Sequence, residues 1–253
     1  MNTYLDLFLI ASALFIGSFI TATANAWPKW GAVLVRRSGC GECGRTLTIR
    51  ELIPVISYFA QKRHCACGKV EIWSGHPFGE AAALSIAVSA VLVSTGVATV
   101  SAIFLGWVLL FGALVDARTG LLPDVVTLGL IPVGLGVSFY LGGTVGLWAA
   151  CLGAVIGFSA LFLIATIYKH VRGREGIGMG DAKLLAAGGA WCGVMALPWI
   201  VAIGAGATLV YVAIRSFGGA KISGKTAIPF GPGLSLGVFT AHLLSQQTFA
   251  TGY

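Results

Sequence analysis

Long apolar runs, separated by short polar or glycine-rich breaks, fill most of the 253-residue chain. A helix needs about 20 apolar residues to cross the hydrocarbon core of a bilayer. On that measure the pattern predicts eight spanning helices, near residues 5–26, 79–98, 100–116, 122–141, 144–168, 181–197, 198–216 and 230–247. The segment 181–197 is short and glycine-rich, a composition that lets spanning helices pack closely. The predicted fold class is an all-α polytopic membrane protein with about eight transmembrane helices. The first run follows Met1-Asn2-Thr3-Tyr4 with no Lys or Arg ahead of it. It lacks the basic n-region of a cleaved signal and reads as a retained spanning helix. Only residues 27–78 form a polar stretch long enough to fold by itself. The chain therefore divides into a first helix (1–26), a loop domain (27–78) and a seven-helix membrane domain (79–253).

Composition agrees with the pattern. Hydrophobic residues make up 57% of the chain and charged residues 10%, against about 25% charged in soluble domains. The mean hydropathy is +0.90. A net charge of +7 would suggest nucleic acid in a soluble domain. In a membrane protein, Lys and Arg instead mark the cytoplasmic side. With eight spans and the N-terminus outside, all sixteen Lys and Arg fall on one side, eight of them within 27–78. The opposite loops, near 99, 142–143 and 197, carry no charge. This predicts periplasmic termini, a cytoplasmic loop domain and no nucleic-acid partner.

The loop carries four of the six cysteines: Cys40-Gly-Glu-Cys43, twenty-one residues, then Cys65-Ala-Cys67. Paired thiolate hooks across a short loop are a zinc-site pattern. A domain of this size is hard to stabilise by its core alone, so a metal would tie it. Reducing cytoplasm argues against disulfides. Four thiolates leave no open position, which fits a structural rather than a catalytic zinc. The second hook is C-x-C, and the adjacent His64 is an alternative to one thiolate; free or redox-active thiols are the other reading. Cys151 and Cys192 lie alone in apolar helices and behave as small hydrophobes.

Acidic residues are few. Asp116 closes the third run and Asp181 opens the sixth, in Gly178-Met179-Gly180-Asp181. Ionisable groups at membrane depth are functional candidates, and in this topology both lie at the cytoplasmic edge, where they meet if their helices pack. Two carboxylates in one site hold one proton between them. The ionised partner takes a proton from water and the protonated one polarises a peptide carbonyl. Gly178 and Gly180 would let backbone come close. Set beside this, an Asp at a helix start is commonly an N-cap. Asp124, in Leu122-Pro123-Asp124, fits that description and takes a supporting role. Lys183 could tune one aspartate or serve as a positive-inside anchor.

Several features together resemble type IV prepilin peptidases, within the intramembrane aspartyl proteases that share a GxGD signature. They are Gly178-Met179-Gly180-Asp181; Asp116 followed by Leu122-Pro123-Asp124; the cysteine hooks after the first span; Gly17-Ser18-Phe19; Pro77 and Glu80; and Ile228-Pro229-Phe230-Gly231-Pro232. The resemblance covers nearly the whole chain. It implies a bacterial inner-membrane enzyme that cuts the basic leader from prepilins or type II secretion pseudopilins at the cytoplasmic membrane face. Asp116 and Asp181 would be the catalytic pair, with Gly178, Gly180, Asp124 and Lys183 supporting them. Cys40, Cys43, Cys65 and Cys67 would hold zinc. Many members also methylate the new N-terminus from S-adenosylmethionine. The substrate's apolar helix would lie in the lipid bilayer. Glu42, Glu51, Glu71 and Glu80 could meet its basic leader, or be ordinary solvated or ion-paired charges. Two other readings are a proton or ion transporter using the acidic pair and a non-catalytic scaffold of a secretion complex. Transporters commonly show midplane acids and related halves; here the aspartates share an edge and no repeat is visible.

Overall fold

A computed structural model describes residues 3–29, 39, 45, 46, 48, 51, 53–60, 64, 75–140, 145–173, 176, 178–219 and 228–250. Among them run α1 (Thr3–Ala26), the short α2 (Ile56–Ala60), α3 (Gly75–Val93), α4 (Val97–Thr119), α5 (Asp124–Tyr140), α6 (Leu147–Arg172), α7 (Met179–Cys192), α8 (Leu197–Phe217) and α9 (Gly231–Ala250). No sheet forms among the described residues, which hold one isolated antiparallel bridge, Gly39 to Thr46.

Each of the eight predicted spans coincides with a helix, but the spans differ in kind. Five helices are long and apolar enough to cross a membrane: α1, α3, α4, α6 and α8 with the turn that precedes it. The chain is thus a multi-pass membrane protein. The apolar α5 has 17 residues. The 14 residues of α7 rise about 21 Å at 1.5 Å each, less than the roughly 30 Å of hydrocarbon. Two expected boundaries also move. The run 79–98 breaks after Val93, and Gly96, at φ 62°, precedes α4; the run 181–197 stops at Cys192, where Gly193 has φ 77°. Positive φ is a conformation glycine adopts without the Cβ penalty, so a turn hides inside an apolar run that hydropathy alone reads through.

The chain divides into two compact units, residues 1–92 and 93–253. In the first, α1 meets α3 at Gly17, where a Cβ would lie 2.8 Å from the Ala83 Cβ and the Glu80 Cα. Glu80 is 4% exposed. Its Oε2 accepts the Val55 N–H at 2.6 Å, just before α2. Val55 has φ 62°, an outlying conformation for a β-branched residue. A buried carboxylate therefore holds a strained turn in place. Glu51 is paired differently: it accepts the Thr48 N–H and hydroxyl, both at 2.8 Å, and Arg45 at 2.7 Å. The Thr48 hydrogen bonds, with Arg45 beside them, hold its carboxyl below the usual range. Both glutamates have partners within the protein; Glu42 and Glu71 lie outside the described residues.

The second unit is built around α7. From Ala182 to Cys192 every residue but Lys183 is buried, so the helix is apolar on all sides, as a helix enclosed by others should be. It packs against α5, α6, α8 and α9. Small residues set the distances. A Cβ on Gly153 of α6 would sit 2.4 Å from the Gly189 carbonyl oxygen, and one on Gly134 of α5 2.6 Å from the Trp191 ring. Trp191 also donates its indole N–H to the Leu130 carbonyl at 2.9 Å. Leu105, Leu130, Leu184, Leu185, Ile200 and Leu234 fill the core around it.

Candidate active site

Asp116 lies in the last turn of α4. That helix stops at Gly120, whose left-handed backbone (φ 67°) turns its N–H onto the Asp116 carbonyl at 2.8 Å. The chain continues through Leu121-Leu122-Pro123 and re-enters a helix at Asp124. Pro123 cannot continue a preceding helix and disfavours helical backbone in the residue before it. Asp181 lies in the first turn of α7, its N–H bonded to the Gly178 carbonyl at 3.1 Å.

The two aspartates come to one cluster. Asp116 is 5% exposed and Asp181 9%. A third segment joins them. The Gly231 N–H, at the start of α9, donates to Asp116 Oδ2 at 3.1 Å. The side chain of Leu122 lies against both Gly180 and Gly231: a Cβ on either would come within 3.0 Å of it. Gly178 has more room, its Cβ position 3.5 Å from Asp181 Oδ2.

Lys183 does not join the pair. Its Nζ bonds Asp124 Oδ1 at 2.6 Å, with the two side chains 23% and 63% exposed. Asp124 thus sits in the first turn of α5 as expected, and its carboxylate takes a cation rather than facing the dyad. The Asp124–Lys183 and Asp116–Gly231 bonds, with Leu122 against Gly180 and Gly231, bring the end of α4 and the starts of α5, α7 and α9 to one end of the unit.

Sequence reasoning missed the Gly231 contact. The Pro-Phe-Gly-Pro stretch drew notice as a likeness, but its contribution is a backbone N–H, which side-chain chemistry does not reveal. The cysteine site of Cys40, Cys43, Cys65 and Cys67 falls outside the described residues. Among the described residues no three His, Cys, Asp or Glu side chains gather in a way that could hold a metal. Cys192 is buried and Cys151 partly so, in agreement with a packing role.

Comparison with known proteins matches residues 103–213 to the type IV leader peptidase family and residues 11–94 to the bacterial peptidase A24 N-terminal domain. A prepilin leader peptidase/N-methyltransferase of Burkholderia pseudomallei strain K96243 is 35% identical over 91% of this chain and 82% of its own length. The chain belongs to the type IV leader peptidase family. A protein of the same printed name from B. pseudomallei strain 1026b is 39% identical over 80% of the chain and 65% of its own length. One from Aeromonas hydrophila is 36% identical over 83% and 72%. No solved structure matches. One matched segment falls largely in the first structural unit and the other within the second. Asp116 and Asp181 fall inside the peptidase segment, whereas Gly231 lies beyond it.

Proposed function

We propose that the protein cleaves the basic leader from a prepilin or type II secretion pseudopilin, with Asp116 and Asp181 as the catalytic dyad. The observation that carries this reading is the burial of the two carboxylates together, at the ends of two helices, while the nearby Lys183 is engaged by Asp124. A buried acidic pair can share a proton, which is the state hydrolysis by activated water needs.

In the reaction, water attacks the carbonyl carbon of the scissile peptide. One aspartate takes a proton from that water and the other gives a proton to the carbonyl oxygen. The tetrahedral intermediate collapses as its C–N bond breaks and the leaving amine takes up a proton. No covalent intermediate forms with the enzyme. A site at one end of the helices suits a substrate whose apolar helix lies in the bilayer with its leader just outside, since the membrane then holds the cut near the dyad.

All eight long helices from α1 to α9, α2 excepted, are read as crossing the bacterial inner membrane, with α7 shielded from lipid by its neighbours and both termini periplasmic. The loop between α1 and α3 is read as a cytoplasmic zinc domain holding the metal through Cys40, Cys43, Cys65 and Cys67. The Gly39–Thr46 bridge folds the chain back on either side of the first hook, as a metal knuckle requires. S-adenosylmethionine would supply the methyl group for the new N-terminal amine. Gly178 and Gly180 give the second aspartate its turn, and Asp124 with Lys183 braces α5 against α7.

The test is a two-product assay. The purified protein is mixed with a prepilin and labelled S-adenosylmethionine, beside Asp181→Ala. Leader release that depends on Asp181, with a mature N-terminus heavier by one methylene, is expected. A folded, metal-loaded sample that cuts none of several prepilins would overturn the reading. Cys40→Ser should lose bound zinc and loosen the loop; one equivalent of zinc remaining would refute that ligand assignment.

A further inference from the structure

We propose that Gly231 is a positioning residue of the peptidase: its backbone N–H, at the first turn of α9, orients Asp116 for catalysis. The proposal rests on the dyad reading and adds a third segment to it. The first N–H groups of a helix have no partner within the helix. Gly231 opens α9 and gives its N–H to Asp116 Oδ2 at 3.1 Å. The next residue, Pro232, has no N–H to offer, and the ladder of α9 is already running where Leu234 bonds the Phe230 carbonyl at 3.0 Å. Asp116 occupies the last turn of its own helix, where backbone carbonyls rather than N–H groups are free. Its donor therefore has to come from another segment, and the positive end of α9 supplies one. With Oδ2 tied, the carboxylate plane is fixed and Oδ1 remains for water or for the proton shared with Asp181.

The same contact explains why glycine stands there. A Cβ on residue 231 would lie 2.6 Å from Asp116 Oδ2, 3.0 Å from its Cγ and 3.0 Å from Leu122 Cδ1. The obstruction includes the reacting carboxylate itself. Alanine would push that group away while leaving every catalytic atom in the chain. Displacement of a reacting group by about 1 Å can cost roughly 100-fold in rate. Leu122, wedged between Gly180 and Gly231, ties the α7 turn to the start of α9, so the two aspartates take their positions from one cluster.

The experiment uses the full-length enzyme and a prepilin, comparing wild type, Gly231→Ala and Gly129→Ala; a Cβ at Gly129 would meet nothing within 4 Å. Gly231→Ala is expected to lower kcat about 100-fold with KM within about twofold, and to displace the pH–rate profile. Gly129→Ala should superpose on wild type. A folded Gly231→Ala that keeps kcat within threefold, or loses it with an unmoved pH profile, would overturn the proposal. A second measurement does not depend on that variant folding. Amide exchange over residues 228–234 should gain one fast-exchanging amide in Asp116→Ala and none in Asp124→Ala; unchanged exchange in Asp116→Ala would also overturn it. Normal cleavage by either Asp116→Ala or Asp181→Ala would instead sink the dyad reading, and the two failures are distinct.

Discussion

Two acidic arrangements lie within a few residues of each other, at the same end of the second unit. In one, Asp116 and Asp181 are both buried, and Asp116 accepts a backbone N–H from Gly231. In the other, Asp124 is largely exposed and holds Lys183 at 2.6 Å. All three are aspartates at helix ends, Asp116 closing a helix and Asp124 and Asp181 opening theirs. Burial and the identity of the partner separate them. A carboxylate with a cation in water is a brace, and its removal changes little. Two enclosed carboxylates are costly to keep. On the proposed reading that cost belongs to the chemistry of one pair, and the other pair gives support.

The largest expected effect tests that assignment directly. Asp116→Ala and Asp181→Ala should each lower prepilin cleavage by about 1,000-fold or more, within the range a lost general acid or base can account for. Membrane insertion, followed by fractionation, should be unchanged in both. Retained cleavage in either would remove the distinction between the buried and the exposed pair.

Next comes the other buried carboxylate, Glu80 in the first unit, which holds a backbone group instead of a second acid. Glu80→Ala leaves the Val55 N–H buried without its acceptor, a loss of about 1–3 kcal/mol. It should appear as a lower unfolding temperature, with Glu80→Gln recovering part of it. Glu80→Ala with wild-type stability would mean that the strained Val55 turn does not depend on this carboxylate.

How far the sequence leads can be judged from these residues. The helices follow from hydropathy because bilayer thickness sets the length of an apolar run, and each of the eight predicted runs is a helix. What hydropathy cannot separate is lipid from protein as the apolar surroundings. The 14-residue α7 resembles a span in composition yet is enclosed by neighbouring helices. The candidate dyad was legible because an acid in an apolar chain stands out. The Lys183–Asp124 bond spans 59 residues and the Gly231–Asp116 bond 115, and such pairings need the fold. Glu80 is another such case: its carboxylate accepts the N–H of Val55, 25 residues away.

A smaller effect is expected at the exposed pair. Partly exposed ion pairs contribute about 0–1 kcal/mol, so Lys183→Ala and Asp124→Ala should each cost no more than a few-fold in cleavage. The double variant should be no worse than the more affected single one, because both remove the same bond. A loss in Lys183→Ala as deep as in Asp181→Ala would move the lysine from brace to reaction and dissolve the contrast between the two pairs.

The smallest effect separates burial that serves chemistry from burial that merely costs stability. His242 of α9 is 2% exposed. Its Nδ1 has no hydrogen-bond partner among the described residues, and its ring stands edge-on to Trp191 at 5.5 Å. An unpaired buried polar atom costs about 1–3 kcal/mol, yet the aromatic contact and the filled volume offset part of that. His242→Phe keeps the ring and its edge contact and removes the unpaired nitrogen, so the unfolding temperature should hold or rise. His242→Ala removes the ring as well and should fall by the cost of a cavity, about 2–5 kcal/mol for large buried side chains. If His242→Phe keeps its stability and its cleavage rate, the burial of this polar group is unrelated to the reaction. If the rate drops while stability holds, the buried chemistry extends along α9 beyond Gly231, and the contrast between the two acidic pairs describes only part of the site.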